Sequence, residues 1–310
     1  MNRQTIKNNF FSKRQQMPIL YSVLQSLHFL ILTFVITAFA TSCKTLPSAQ
    51  GNNINKQETL SVEYICPSNL EWEQVKDKKD KPVEGFELIS YELKEIKVRW
   101  TCVKADLNTP DIKIAATPEL EELGQPPKLR TVKSFAKKNN TILAINATPW
   151  KNESYPHNAV GVVKIDNKIF FPPENKYCAL CFTTEPLRAH IIMNQTEEEL
   201  NNYDYAFGGF FQVLKDGKLI KFQNNRHSRI CAGTNKDGSE LYFFIATSIM
   251  NPKDKTGLTF EECGLILQKL GCTDVMHFDG GHSSCMVINS NHVEKPLLNR
   301  KIPIAIGLKK

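Results

Sequence analysis

The first 42 residues contain no aspartate or glutamate, and from Gln15 to Cys43 there is no charged side chain of either sign. That blank changes the meaning of the formal net charge of +7. Arg3, Lys7, Lys13 and Arg14 all lie at the extreme start, and beyond residue 42 the chain holds 35 basic against 32 acidic residues. A surplus of three is no concentrated basic footprint, so general nucleic-acid binding is not expected. The chain has no internal repeat and no low-complexity block, and so no sign of a repeat array or a compositionally biased tract. The pair Cys178 and Cys181 has no second closely spaced Cys or His pair at finger-like distance, so a zinc site there is not expected either. What remains is an ordinary globular composition, 41% hydrophobic and 23% charged over 310 residues, enough for one large or two small domains.

The charge-free stretch is itself informative. A basic start, the almost wholly apolar run 27–40 (LHFLILTFVITAFA) and then small residues follow the order of a secretory signal. Ala40-Thr41-Ser42-Cys43 is similar to a lipobox, in which Cys43 is acylated and becomes the new N-terminus, although a larger aliphatic residue is commoner where Ala40 stands. The alternative is an uncleaved transmembrane anchor, since the apolar run with its uncharged flanks is nearly long enough to span. Both place the body outside the cytoplasm, and the expected location is the cell envelope, periplasmic or surface, with the membrane as a partner through a lipid anchor. Eight cysteines follow Cys43: Cys66, Cys102, Cys178, Cys181, Cys231, Cys263, Cys272 and Cys285. An even number in an oxidising compartment predicts disulfides, of unassigned connectivity.

The expected organisation is a signal with its lipobox over 1–42, a flexible tether over 43–58, a Lys-rich extension over 59–85 and a single folded domain over 86–310. In that domain Ile96, Val98, Trp100 and Cys102 alternate with polar residues at the period of a strand, and Ile112 and Ile114 begin another after the turn 108–111. Residues 132–138 read as a short helix, and 142–145 as a buried strand ending at Asn146. Asp166-Asn167 and Asp216-Gly217 each break an apolar stretch as a hairpin turn does. Residues 241–246 are strand-like. Thr259 and Glu262 form a capping box that opens a helix to about Leu270, with Gly271 as its stop. Strands follow over 275–278, 283–288 and 303–308. The fold class predicted is α+β, a mixed and largely antiparallel sheet with helices packed against it.

Three segments carry chemistry. His277-Phe278-Asp279-Gly280-Gly281-His282-Ser283-Ser284 sets an acid at a strand end before two glycines and two hydroxyls; the glycines let backbone N–H groups approach an anion, and Ser283 and Ser284 add donors. Taken alone, Asp-Gly-Gly is equally a hairpin turn. Arg226-His227-Ser228-Arg229 supplies guanidinium groups able to grip phosphate through paired hydrogen bonds, or simply a solvated surface. Asn146, at the end of an apolar strand, is a ligand group or a turn residue. Glu262 is accounted for by its cap and is not a site candidate.

Together these segments resemble the phosphodiester glycosidase family, which includes the enzyme that removes N-acetylglucosamine to uncover mannose 6-phosphate. The family's strand ending in Asn-Gly-Gly-Phe is similar to 144–150, with Asn146 kept and Ala147-Thr148 in place of the glycines. Its Gly-Gly segment before an Asp-Gly hairpin is matched by Gly208-Gly209 and Lys215-Asp216-Gly217-Lys218. Its His-Pro-Arg-Thr-x-x-Gly is matched by 227–233, its Gly-x-Thr-Leu-x-Glu helix by 257–262, and its Asp-Gly-Gly-Gly-Ser-Ser by 279–284, with His282 as the third glycine. The resemblance runs from about residue 86 to 309. It implies hydrolysis of a sugar-1-phosphodiester at the anomeric C–O bond, with a carbohydrate phosphodiester as partner; that scheme calls for no cofactor and no metal, and leaves room for a bound cation.

A glycosyl phosphodiester already has a weakly basic leaving group, so a strong general acid is less needed than in ordinary glycoside hydrolysis. The expected roles are Asp279 as base or nucleophile at the anomeric carbon and Arg229 as the phosphate-neutralising cation. Asn146, Ser283 and Ser284 position the substrate, with Gly280, Gly281, His227, Gly208 and Gly209 lining it. The competing readings are a glycan-binding surface lipoprotein and a phosphodiesterase that breaks P–O. Acylation has a direct check. Metabolic labelling with a fatty-acid probe should tag the wild type and spare Cys43→Ala, whereas equal labelling of both would favour the transmembrane anchor.

Overall fold

Alternation along the strands decides this architecture. A computed structural model describes residues 73–74, 83–94, 97–151, 158–220, 225–248, 257–294, 296 and 299–310. The signal, the Cys43 lipobox, the tether and Cys66 lie outside them. None of the described helices is long and apolar enough to cross a membrane.

The largest sheet has eight strands in the order β1 (Glu73–Gln74), β2 (Phe86–Leu93), β3 (Val98–Asp106), β14 (Glu240–Ser248), β13 (Arg229–Thr234), β15 (Asp274–His277), β11 (Gln212–Lys215) and β12 (Lys218–Leu219). A second sheet runs β7 (Lys168–Phe171), β6 (Val163–Ile165), β10 (Tyr205–Gly208), β8 (Ala179–Thr184) and β9 (Leu187–Ile192). A third runs β17 (Asn291–His292), β16 (Met286–Ile288), β5 (Leu143–Asn146), β18 (Ala305–Lys309) and β4 (Lys113–Ala116).

Leu241, Phe243 and Ile245 of β14 enter one core cluster, shared with β5, β6, β8, β10 and β18, while Tyr242, Phe244 and Ala246 enter another. β13 divides likewise, with Ile230 and Ala232 in the first cluster and Cys231 in the second. Successive side chains of a strand point to opposite faces, so the large sheet is buried on both sides. The other two sheets contribute to the first cluster. On the far face lies helix α3 (Phe260–Lys269), which brings Cys263, Ile266 and Leu267. Helix α1 (Val132–Asn139) covers the third sheet with Val132, Phe135 and Ala136, and α2 (Glu197–Leu200) is a single turn capped by Thr196. Truncating a wholly buried ring such as Phe243 costs roughly 3–5 kcal/mol in comparable cores.

The local signals resolve as their chemistry requires. Asp166 and Asn167 turn the β6–β7 hairpin at φ of 48° and 62°, and Asp216 and Gly217 turn β11–β12 at 49° and 72°. At the start of α3 the Thr259 hydroxyl accepts from Glu262 N at 3.1 Å, and Glu262 Oε2 accepts from Thr259 N at 2.8 Å.

Three expectations change. The described residues are 43% strand and 14% helix, so the fold is more β-rich than a balanced α+β class. Every strand pair that defines the three sheets is antiparallel, with no mixed pairing. The strands β8, β9 and β10, which the sequence reading passes over, make up most of the second sheet.

The third change concerns cysteine. Cys102, Cys178, Cys181, Cys231, Cys263, Cys272 and Cys285 are all free thiols and all buried, against the expectation of disulfides. The Cys178 and Cys181 pair shows why: Cys178 packs in the large central core, and Cys181 on the other side of β8 with Val162, Ala206 and Leu200. They serve as small apolar core residues, a common use of free cysteine. Thiol counting on protein denatured without reductant should find these seven reactive, and pairing of most of them would contradict the buried-thiol account.

Candidate functional site

The segment after β15 does not turn back as a hairpin. Asp279 N donates to Ala147 O at 3.1 Å, and Gly281 N donates to Ser228 O at 2.8 Å. Gly281 sits at a φ of 59° and opens a short 3-10 turn, Gly281–Ser283. A Cβ on Gly280 would come within 2.9 Å of Ser228 O, so the chain lies close against β13 there. It then enters β16, in a different sheet from β15. The Asp-Gly-Gly run is therefore a crossover, and its glycines serve close approach and a positive φ.

Asn146 holds this crossover from the other side. It ends β5, is 1% exposed, and uses both ends of its amide: Nδ2 donates to Asp279 O at 2.5 Å, and Oδ1 accepts from Cys285 N at 2.8 Å. The two bonds grip the crossover at its beginning and its end. The amide is spent on the protein itself.

The Asp279 carboxyl is half-buried. Burial raises its pKa above the ordinary value, opposed by a hydrogen bond with the Ser283 side chain and by the positive charge of Arg300. Arg300 Nη1 in turn donates to Ser283 Oγ at 3.3 Å, and its guanidinium carbon lies 5.2 Å from the centre of the Trp150 ring. Asp279, Ser283, Arg300 and Trp150 thus form one connected group. Close by in the chain, the hydroxyl oxygens of Thr148 and Ser284 are buried with no hydrogen-bond partner among the described residues. An orphaned buried hydroxyl is costly, and each of these enclosed groups is one an internal water would satisfy. A carboxyl, a hydroxyl, a cation and a ring can together hold a polar substrate and act on it.

Other candidates lie differently. Arg229 is 9% exposed; its Nε donates to Leu258 O at 3.0 Å, one terminal nitrogen donates to Asn225 O at 2.5 Å, and its guanidinium carbon lies 3.8 Å over the Phe260 ring. So held, its Nε side is already spent on main-chain oxygens, and a phosphate could meet only the remaining end of the fork. His227 is exposed and bridges by its backbone to Leu258. Gly208 and Gly209 bring β10 against its neighbours: a Cβ on Gly209 would fall 2.5 Å from His277 O, and one on Gly208 would fall 2.9 Å from the Gln195 amide. The N–H groups of Gly281, Ser283 and Ser284 are bonded to Ser228, Gly280 and Gly281, which leaves less of an anion cradle than the glycines suggest. His282 is exposed beside the site. The described groups arranged to hold a metal are Cys231, Cys263 and His277, under α3.

Sequence reasoning misses Arg300 and Trp150. No local pattern marks either, because what defines them is contact with Ser283 and with each other.

The amide clamp has a stability test. Asn146→Asp keeps the shape but replaces the donor to Asp279 O with an acceptor, and should destabilise the protein by about 1–3 kcal/mol, as for a buried polar group left unpaired. An unchanged denaturation midpoint at neutral pH would remove the clamp from the account.

No curated protein sequence matches the chain. Among solved structures, a hypothetical protein from Synechocystis superposes with a TM-score of 0.59 at 11% identity, over 78% of this chain and 68% of that one. The catalytic domain of zebrafish N-acetylglucosamine-1-phosphodiester alpha-N-acetylglucosaminidase, auto-inhibited by its pro-peptide, superposes with a TM-score of 0.57 at 13% identity, over 78% of this chain and 88% of that one. Likeness at such identity establishes a shared fold. The sequence model of the phosphodiester glycosidases matches residues 139–309, which span Asn146, Arg229, Asp279 and Arg300, and the protein belongs to that family.

Proposed function

We propose that the protein hydrolyses a sugar-1-phosphodiester at the anomeric C–O bond, with Asp279 as the carboxylate that acts at the anomeric carbon. The observation that carries this reading is the connected group Asp279–Ser283–Arg300, a partly desolvated carboxyl with one hydroxyl and one cation beside it. Asp279 works as nucleophile or as base toward water. In either case the C–O electron pair leaves with the phosphate, whose low basicity removes the need for a strong acid.

Arg300 takes the phosphate-side role in place of Arg229, since Arg229 is committed to two carbonyl oxygens. The Trp150 ring limits the directions Arg300 can take. Ser284 and Thr148 lie buried beneath the crossover, so Ser283 is the hydroxyl that stands beside the carboxyl. Asn146 and Arg229 are positioning residues, the first holding the crossover and the second tying Asn225 and Leu258 to β13. Acylation at Cys43 would hold the enzyme at the envelope, so envelope or extracellular glycans are the substrate class. The steps so drawn call on no metal.

The soluble body should release free sugar from a GlcNAc-1-phosphodiester or a related sugar-1-phosphodiester in a panel. Arg300→Lys should lower kcat/KM on the order of tenfold to a thousandfold, because an ammonium cannot replace the planar guanidinium at a preorganised contact. Asp279→Asn should remove most activity without a loss of stability at neutral pH. The sign follows from the raised pKa: the folded state holds the Asp279 proton more tightly than the unfolded chain, so the carboxyl favours folding at acid pH and loses that contribution as pH rises through its folded value. An inert wild type that binds glycans, with Asp279→Asn binding equally well, would make the protein a binding module on an enzyme fold.

A further inference from the structure

Behind the site, on the α3 side of the large sheet, three groups converge that the reaction does not use. Cys231 of β13 stands directly opposite His277 of β15 in the strand pairing, so the two side chains share a face. Cys263, in the first turns of α3, drops onto them, and one ligand atom from each of the three lies within 4.8 Å of the others. All three are enclosed, at 0%, 0% and 1% exposure for Cys231, Cys263 and His277. We propose that Cys231, Cys263 and His277 form a buried Zn²⁺ site that staples α3 to β13 and β15 behind the Asp279 crossover.

The ligand set is that of zinc, a borderline-soft ion that takes thiolate and imidazole together and imposes no geometry of its own. Bonds of about 2.3 Å to sulfur and 2.0–2.1 Å to nitrogen, set tetrahedrally, put sulfur and nitrogen about 3.5 Å apart. Cys231 Sγ lies 3.4 Å from His277 Nδ1 and 3.6 Å from Nε2. Two such similar distances set the sulfur over the ring rather than in line with either nitrogen. Occupancy therefore turns the imidazole about its Cβ–Cγ bond, past the Phe260 ring whose centre is 4.5 Å away.

The charges balance. Zn²⁺ displaces one proton from each thiol, forms two Zn–S bonds and one Zn–N bond to neutral imidazole, and releases two protons to solvent. The resulting centre carries no net charge, which a buried site beside the Arg229 guanidinium tolerates where an uncompensated Zn²⁺ would be costly. The backbone positions of its ligands are set in advance: the register of β13 with β15 sets Cys231 against His277, and the Thr259–Glu262 capping box sets the start of α3 and so the height of Cys263. Among the described residues no fourth histidine, cysteine or carboxylate joins these three.

The test uses the full chain, purified under reducing conditions, stripped with a chelator, incubated with Zn²⁺ and desalted. The expected result is about one zinc per chain by elemental analysis, a thermal midpoint raised by loading, and a thiolate-to-cobalt charge-transfer band when Co²⁺ replaces Zn²⁺. In Cys263→Ser, nearly isosteric, zinc should fall to on the order of a tenth of the wild-type content and the midpoint should no longer respond. Wild type that keeps no zinc and shows no cobalt band overturns the site, whether or not the variant folds. Equal zinc in a folded Cys263→Ser, or a Cys231–Cys263 disulfide in peptides of the protein as isolated, overturns it as well.

Discussion

Everything at the candidate site hangs on the side chain of one buried asparagine. Asn146 ends a strand of the third sheet, yet its amide donates to the Asp279 carbonyl and accepts from the Cys285 amide, on the segment that has just left the large sheet. Two antiparallel sheets are thereby joined where the chain crosses between them. An apolar side chain at 146 could fill the space but would leave the Asp279 carbonyl and the Cys285 N–H unpaired in the interior. The clamp also explains how a crossover with two glycines holds one conformation: its ends are fixed, and Ser228 O takes the Gly281 N–H in the middle.

Around that join, burial and charge pull in opposite directions. The large sheet is covered on both faces, so a carboxyl just beyond the end of its inner strand β15 is partly stripped of water, and the Asp279 proton is held more tightly for that reason. Ser283 and Arg300 return part of the lost solvation. A carboxyl so balanced is less stable as an anion than one in water, a usual condition of groups that act on a substrate. Arg229 shows the other outcome of burial: enclosed and stacked on Phe260, it gives two of its donors to main-chain oxygens.

What was legible in the sequence was local. Asp166-Asn167 and Asp216-Gly217 announce hairpins because few residue types accept a positive φ, and both turns have one. Thr259 and Glu262 announce a helix start because the cap is written within four residues. The edge at Asp279 was legible as a place where an acid, glycines and hydroxyls meet, although the crossover there looks like a hairpin on its own residues. Arg300 and Trp150 were not legible, since a cation over a ring far away in the chain leaves no periodic trace. The occupation of Arg229 by the carbonyls of Leu258 and Asn225 leaves none either. Nor can an even count of cysteines say which face each thiol takes, and Cys178 and Cys181, three residues apart, take opposite ones.

The claim at the centre of this account is that Asp279 acts on carbon and the phosphate leaves intact. Hydrolysis in heavy-oxygen water reads that directly from the products. The account predicts the label on the anomeric oxygen of the released sugar and none in the phosphate, because the new bond forms at the anomeric carbon. Label in the phosphate would place the attack at phosphorus and contradict it.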